Sequence, residues 1–200
     1  MSGSLAFFGA FNPPTVAHLD LALFAARAVD ADQVVFVPSR SVYIRDTQGK
    51  DFSYDDDRRL EMLRATAERR PWMRVTDWEI CQPRQPRTYE TLCHLRDTGC
   101  ASALLMGSDK LTELEHGWLY VPEIAREFGI VCLARGQDEC SRLIREDPFL
   151  SSLSPYIRVL ETPQETRGLS SSGVRRHIRE IRKLQEELNG MVPPEILPFL

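Results

Sequence analysis

The stretch Leu5–Val29, LAFFGAFNPPTVAHLDLALFAARAV, joins a strand candidate to a helix candidate through a loop that contains two prolines. Leu5–Phe8 is a short apolar run, which is consistent with a buried strand. The prolines disfavour helix before Thr15, and the mostly apolar segment Val16–Val29 predicts a buried helix. This strand–loop–helix order begins an alternating pattern.

The same alternation continues along the chain. Further strands are predicted over Val34–Val37, Met73–Thr76, Ala103–Met106, Gly129–Ala134 and Ile157–Leu160. Further helices are predicted over residues 53–70, Tyr89–Arg96, Val121–Phe128, Ser171–Leu188 and Pro193–Leu200, and a loop over Ser39–Phe52. Alternation of this kind predicts an α/β fold. We expect one Rossmann-like domain over residues 1–200, with a doubly wound, mostly parallel sheet and helices on both faces.

Composition narrows the classes of function. The chain has 200 residues and a formal net charge of −4, which argues against broad binding to nucleic acid. No stretch approaches the roughly 18 apolar residues of a membrane span. The five cysteines have no CxxC spacing, which is typical of reduced thiols and favours the cytoplasm. The histidines show no metal spacing with these cysteines.

The loop Gly9–His18 carries the strongest chemical signal. Thr15 is a natural N-cap, and His18 then falls at the third helical position. Its imidazole is expected beside unpaired N–H groups and the positive end of the helix dipole, where phosphate binds. From these residues alone, a rigid turn with an ordinary histidine is an equal alternative.

A second signal, LSSSGVR, covers Leu169–Arg175 and follows the last predicted strand. Ser171 and Ser172 place hydroxyls at the start of a helix, and Arg175 lies one turn after Ser172. A guanidinium matches the geometry of phosphate. The alternative is a serine-capped helix with a solvated basic face, which would be preferred if this segment stood alone.

Together the two segments resemble a known family. GAFNPPTVAH over residues 9–18 is similar to the HIGH signature of nucleotidyltransferases, and LSSSGVR is similar to their ISSTxIR signature. The resemblance is to nicotinate/nicotinamide mononucleotide adenylyltransferases. It implies that His18 contacts the phosphates of ATP, and that Ser171, Ser172 and Arg175 hold the triphosphate. Ala17 stands where many members have glycine, and Ser172 where threonine is usual.

The resemblance extends over nearly the whole chain. RLEML from Arg59, the pairing of Trp78-Glu79 with Glu90-Thr91-Leu92, and LMGSD from Leu105 each match a family pattern. The ATP side implied by this match comprises Gly9, Ala10, Phe11, Thr15, Gly107, Asp109, Ser171 and Ser172. The implied acceptor side comprises Asn12, Trp78, Thr91, Trp118 and Arg135. Lys50 is expected to assist His18 and Arg175, although most loop lysines are only solvated.

The expected reaction is adenylyl transfer from ATP to nicotinate or nicotinamide mononucleotide, which forms the dinucleotide and pyrophosphate in NAD biosynthesis. Mg²⁺ is expected to bind through the ATP phosphates, without a protein carboxylate cage. Two alternatives stay open: a related transferase with another phosphorylated acceptor such as phosphopantetheine, and a nucleotide-binding sensor without turnover. The sequence leaves the choice between acid and amide, and the oligomeric state, undetermined.

Overall fold

A computed structural model describes residues 3–46, 54–100, 102–134, 140–162 and 171–191. Six parallel strands form one sheet in the order β3-β2-β1-β4-β5-β6. The strands are β1 Gly3–Gly9, β2 Ala31–Pro38, β3 Met73–Val75, β4 Ser102–Gly107, β5 Ile130–Ala134 and β6 Ile157–Glu161. All six predicted strands are present, and the doubly wound parallel sheet is confirmed.

Helices connect these strands. They are α1 Val16–Val29, α2 Ser41–Asp46, α3 Asp56–Ala67, α4 Trp78–Cys81, α5 Thr88–Asp97, α6 Leu114–Gly117, α7 Val121–Phe128, α8 Cys140–Glu146, α9 Pro148–Leu153 and α10 Ser171–Met191. Short 3₁₀ helices cover Ser108–Glu113 and Ser154–Tyr156. Within the described ranges, no helix is both long and apolar enough to cross a membrane. The predicted helix Pro193–Leu200 lies outside the described residues.

Alternate strand residues face opposite sides of the sheet, and both sides are covered. Leu5 and Phe7 of β1 pack with the apolar faces of α1 and α3, whereas Ala6 packs on the side of α5, α7, α8 and α9. Strands that are covered on both sides have no polar face, which explains their continuous apolar runs. The core therefore consists of two layers separated by the sheet.

The predicted loop over Ser39–Phe52 is wrong in part, because α2 occupies Ser41–Asp46. Asp56 accepts hydrogen bonds of 2.7 Å from both the backbone N–H and the hydroxyl of Ser41. Ile44 is fully buried. The polar segment becomes helical because a carboxylate 15 residues later caps it and a single apolar side chain anchors it.

The strand order places the point of reversal between β1 and β4, since β2 follows on one side and β5 on the other. The carboxyl ends of these two strands are Gly9 and Gly107. In open α/β sheets, ligands bind in the crevice outside such a pair of strand ends. The loop that follows Gly9 and the 3₁₀ helix that follows Gly107 are therefore the walls of the candidate site.

Candidate active site

The loop after β1 is held in place through its backbone carbonyls. The carbonyl of Ala10 accepts a 2.7 Å hydrogen bond from Arg59, and that of Asn12 accepts a 2.6 Å bond from Arg175. The Ser171 hydroxyl donates to the Pro13 carbonyl at 2.9 Å. The peptide bond between Asn12 and Pro13 is cis. Because its carbonyl oxygens are engaged with the protein, this loop is held by donors from elements remote in sequence.

Arg59 has the most buried charge at this edge. Its side chain is fully buried, and it donates to the carbonyls of Ala10 and Ser39 and to the carboxylate of Asp56. Burial lowers the pKa of Arg59, and Asp56 opposes that shift. Burial alone would raise the pKa of Asp56, but hydrogen bonds from Ser41 and Arg59 hold it below its usual value. Arg59 thus ties the ends of β1 and β2 to α3.

Sequence reasoning gave Arg59 no role of its own. The residue lies four positions before Leu63, which is also fully buried. Residues at this spacing share one face of a helix. An arginine on the apolar stripe of a helix was the available signal that its guanidinium has partners inside the protein.

Thr15 and His18 form the turn that the sequence predicted. Thr15 is the N-cap of α1 and His18 is the third helical residue. The backbone N–H of Thr15 donates to Nδ1 of His18 at 3.0 Å, and the Thr15 hydroxyl lies 2.8 Å from the same nitrogen. Because Nδ1 accepts a backbone proton, we assign the proton of the neutral imidazole to Nε2. This assignment makes Nε2 a hydrogen-bond donor.

Phe11 sets the orientation of that imidazole. The two ring centroids lie 5.3 Å apart at 75°, in an edge-to-face contact. The backbone of Phe11 has a positive φ of 42°, and its buried ring packs against Gly9. A Cβ on Gly9 would lie 3.0 Å from that ring. Gly9 is therefore required by the packing of Phe11, a reason that sequence reasoning did not identify.

The first turn of α10 approaches the same loop. Arg175 is 8% exposed and donates to the Asn12 carbonyl and to the Ser172 hydroxyl, the latter at 2.9 Å. Burial, and then the positive charge of Arg179, lower its pKa. Ser171 binds the carbonyl of Pro13, as described above. The two signatures, more than 150 residues apart in the chain, therefore contact each other through side-chain-to-backbone bonds.

A cavity of about 360 Å³ opens at the reversal point, and we call it the strand-end cavity. Residues of β1 and its loop form one side, and residues of β4 and the following 3₁₀ helix form the other. Its lining includes Gly9, Ala10, Phe11, His18, Ser39, Tyr43, Gly107, Asp109, Lys110 and Trp118. The structure therefore brings together seven of the predicted site residues around one space. Tyr43 and Lys110 also line it and were not predicted.

Of the described residues predicted on the acceptor side, Asn12, Thr91 and Trp78 do not line the strand-end cavity. Asn12 is 1% exposed, and its side-chain amide oxygen Oδ1 accepts a hydrogen bond from the Tyr54 N–H at 2.9 Å. Thr91 is fully buried, and its hydroxyl donates to Glu79 at 2.7 Å. Both side chains are therefore engaged within the protein, and their direct contact with the acceptor stays a prediction. Trp78 stacks on His94 at 4.5 Å and lines a separate cavity. Lys50 and Arg135 lie outside the described residues.

Glu79 is the centre of a buried polar network that sequence reasoning missed. It is 2% exposed and accepts hydrogen bonds from Thr91 and Gln85. Gln85 in turn accepts from the backbone N–H of Arg40, just after β2. Burial raises the pKa of Glu79 to about 7, although these two hydrogen bonds oppose the shift. The network connects α4 and α5 to the segment that ends the second strand.

Comparison with known proteins identifies the family. The family model described as "Cytidylyltransferase-like" matches residues 6–177, from β1 into α10. The chain belongs to this family. The match includes both signature segments and every strand of the sheet.

A Caldicellulosiruptor saccharolyticus protein named "Probable nicotinate-nucleotide adenylyltransferase" is 26% identical, covering 97% of this chain and 93% of the relative. An Arabidopsis thaliana protein named "Nicotinamide/nicotinic acid mononucleotide adenylyltransferase" is 24% identical, covering 85% of this chain and 77% of the relative. The solved Plasmodium falciparum nicotinic acid mononucleotide adenylyltransferase complexed with NaAD has a TM-score of 0.65 at 16% identity. It covers 92% of this chain and 90% of the solved chain. That structure supports the fold.

The strand-end cavity has few acidic groups among its described lining residues. Among the described residues that line the strand-end cavity, Asp109 alone carries a carboxylate, whereas Lys110 and His18 supply donors. Lys110 is paired with Glu113 at 2.7 Å. Within the part of the chain that the structure describes, no three His, Cys, Asp or Glu side chains converge to hold a metal ion. The described lining therefore offers hydrogen-bond donors and a single carboxylate.

Proposed function

We propose that this chain transfers the adenylyl group of ATP to nicotinate or nicotinamide mononucleotide, releasing pyrophosphate, as a step of NAD biosynthesis in the cytoplasm. The observation that carries the proposal is the contact between the His18 loop and the Arg175 turn beside the strand-end cavity. The N-terminal turns of α1 and α10 and the guanidinium of Arg175 meet at this loop, and the imidazole of His18 lines the cavity. Such a set of donors suits a polyphosphate.

The proposed reaction is an in-line displacement at the α-phosphorus of ATP. An oxygen of the acceptor 5′-phosphate forms the new P–O bond, and the bond from the α-phosphorus to the bridging oxygen breaks. The electron pair leaves with pyrophosphate. The attacking oxygen is already anionic, so no strong general base is required. Catalysis then depends on positioning and on stabilising charge as it develops.

Six of the predicted residues have a proposed part in this step. Nε2 of His18 donates to the triphosphate while Nδ1 holds the ring to Thr15. Arg175 shares its guanidinium between the loop carbonyl and the phosphates, and Ser171 and Ser172 add donors at the same turn. Lys50 assists from the segment after β2. Asp109, in the lining beyond β4, accepts from the ribose hydroxyls of ATP through its two oxygens.

Mg²⁺ fits this site as a partner of the triphosphate. With a single carboxylate in the described lining, the protein offers no oxygen cage, so the ion would be held by phosphate oxygens and water, with Asp109 within the same cavity. When bound, it neutralises charge on the phosphates. The protein groups align the triphosphate and exclude alternative orientations.

The choice of acceptor rests on the relatives' names and on Trp118. Relatives that align over most of this chain are named for nicotinate or nicotinamide nucleotides. Trp118 lines the strand-end cavity together with His18, and an indole face suits a flat pyridine ring. We propose that the acceptor lies across Trp118 with its phosphate directed toward His18.

Pyrophosphate release tests the proposal. The protein is incubated with ATP, Mg²⁺ and one acceptor from a panel: nicotinate mononucleotide, nicotinamide mononucleotide and phosphopantetheine. We expect pyrophosphate and a dinucleotide with at least one pyridine mononucleotide. Turnover with phosphopantetheine alone would assign a different acceptor. ATP binding without release of pyrophosphate from any mixture would indicate a sensor and contradict transferase activity.

A further inference from the structure

A second cavity, which we call the adjoining cavity, has a volume of about 470 Å³. It is lined by Tyr43, Arg84, Gln85, Pro86, Arg87, Glu90, Leu119 and Tyr120. Tyr43 lines both cavities, and Leu119 directly follows Trp118 of the strand-end cavity. A ligand that stacks on Trp118 can therefore extend into the adjoining cavity. Its size lies within the range of small-molecule sites.

The charges of the adjoining cavity are unequally paired. Arg84 binds both oxygens of Glu90, at 2.6 and 2.9 Å, and the backbone N–H of Arg87 donates to the same carboxylate at 2.7 Å. These hydrogen bonds, led by that of Arg84, lower the pKa of Glu90 to about 2. The carboxylate is therefore ionised at neutral pH, and the charge of Arg84 cancels it.

Arg87 supplies the positive charge that is left. Arg87 is exposed, and no carboxylate among the described residues lies within ion-pair distance of its guanidinium. Arg87 also immediately precedes α5, so the positive end of that helix dipole lies beside it. The lining thus has two arginines and one glutamate, a net charge of about +1.

Hydrogen bonds to buried residues hold the backbone of Arg87 in place. Its carbonyl accepts the Thr91 N–H, and Thr91 and Gln85 both bind the buried carboxylate of Glu79. Tyr120 also lines the cavity, and it packs against Tyr89 with ring centroids 5.3 Å apart. The cavity therefore combines an aromatic wall for a flat ring with an arginine on an anchored turn.

We propose that Arg87 pairs with the ring carboxylate of nicotinate mononucleotide in the adjoining cavity, and that this pairing makes the chain prefer the acid to the amide. The inference rests on the proposed function and adds the specificity of its acceptor site. A guanidinium binds a carboxylate through two parallel N–H···O bonds with opposite charges. A carboxamide accepts through one oxygen and presents N–H donors to the cation, so it gains less.

The test is the ratio of kcat/KM for nicotinate mononucleotide to kcat/KM for nicotinamide mononucleotide. It is measured for the wild type, Arg87→Gln and Arg87→Lys, with Arg69→Gln as the matched control. Arg69 is an exposed arginine that lines none of the cavities described above. Thermal unfolding of each variant confirms that it is folded.

The wild type is expected to prefer the acid by about tenfold or more, as a charge-assisted hydrogen bond allows. Arg87→Gln should lower this ratio about tenfold, mainly by raising KM for the acid. Arg87→Lys should retain part of the preference, and Arg69→Gln should leave the ratio unchanged. A wild type that prefers the amide, or a ratio that Arg87→Gln does not change, would overturn the inference. Loss of turnover with both mononucleotides in the wild type would instead refute the proposed function, and the inference with it.

Discussion

The two sides of the cleft are built in different ways. On the His18 side, the residues from Gly9 to His18 hold one another, through the Thr15–His18 hydrogen bonds and the packing of Phe11 on Gly9. On the side of α4 and α5, the shape of the cleft depends on a buried carboxylate, Glu79, whose partners lie 6 and 12 residues away. On the first side, the contacts that orient His18 are local in sequence and remote donors reach only the backbone carbonyls of the loop. On the second side, the shape depends on tertiary contacts around one buried carboxylate.

This difference separates chemistry from specificity. The local side presents donors for a phosphate, which every ATP-dependent transferase of this kind requires. The tertiary side shapes the adjoining cavity, where acceptors differ from one another. Changes on the first side should therefore reduce turnover for all acceptors, whereas changes on the second should alter stability, pH dependence and the choice of acceptor.

The largest expected effect is that of His18→Ala. Loss of a preorganised donor to the triphosphate should lower kcat by about 10²- to 10³-fold with either mononucleotide, measured by pyrophosphate release. His18→Asn retains an acceptor for the Thr15 N–H but lacks the donor at Nε2, so it should fold normally and be equally inactive. His116→Ala, an exposed histidine, is the matched control. Near wild-type turnover of both His18 variants would contradict the role of the imidazole.

The next effect is that of Arg59→Met, which removes the cation between the two strand ends. Breaking a buried charged network from one side should lower the free energy of unfolding by about 3 kcal/mol, measured by denaturant titration. Turnover should fall as well, because the carbonyl of Ala10 loses its donor and the loop is displaced. Arg58→Met is the control, since its ion pair with Glu61 is exposed and should contribute at most about 0.5 kcal/mol. Equal effects of the two substitutions would show that Arg59 does not hold the strand ends together.

Glu79→Gln tests the tertiary side through its pH dependence. The pKa of Glu79 is raised to about 7 in the folded protein, above its ordinary 4.5. A raised carboxyl pKa stabilises the fold at low pH, and this contribution is lost as the pH rises from about 4.5 through 7. The neutral variant keeps its stability over that range. At pH ~8.5 it should exceed the wild type by about 3 kcal/mol, and near pH ~4 the two should agree.

The control for that experiment is Glu127→Gln, whose carboxylate is partly exposed and binds Tyr89 and Arg96 at the surface. It should leave the pH dependence of stability parallel to that of the wild type between pH ~4.5 and ~7. If Glu79→Gln also remained parallel to the wild type in this range, the carboxyl would not titrate there, and the account of its burial would be wrong.

Gly9→Ala should give the smallest effect. The added Cβ would lie 3.0 to 3.3 Å from the ring of Phe11, so the ring must shift, at a cost of about 1 kcal/mol in the free energy of unfolding. Gly3→Ala is the control in the same strand, because nothing lies within 4 Å of its added Cβ. If Gly9→Ala were as stable as Gly3→Ala, the ring would be free to move and would not orient His18.

The elements that the sequence predicted correctly are those specified by residues close to one another in the chain. The bounds of α1, Val16–Val29, follow from the prolines, the Thr15 cap and an uninterrupted apolar run, and the prediction of this helix is confirmed without a shift. The apolar strands were recognised for the same reason. The fold class was predictable because each of these elements is specified by its own residues.

The features that the sequence did not predict depend on contacts between separate elements of the fold. The segment Ser41–Asp46 becomes helical through a cap supplied by Asp56, and Tyr43 thereby reaches both cavities. Thr91 had been expected to contact the acceptor, but it is buried against Glu79. The polar partners of Arg59 and Glu79 come from separate elements of the fold, so no spacing rule connects them.

The most direct test of the central claim follows the α-phosphorus of ATP. ATP radiolabelled at the α-phosphorus is incubated with the protein, Mg²⁺ and nicotinate mononucleotide, and the products are separated. The label is predicted in the dinucleotide and absent from the released pyrophosphate, because attack at the α-phosphorus transfers the adenylyl group. Label that remains in a nucleotide mono- or diphosphate, with no labelled dinucleotide, would contradict the account.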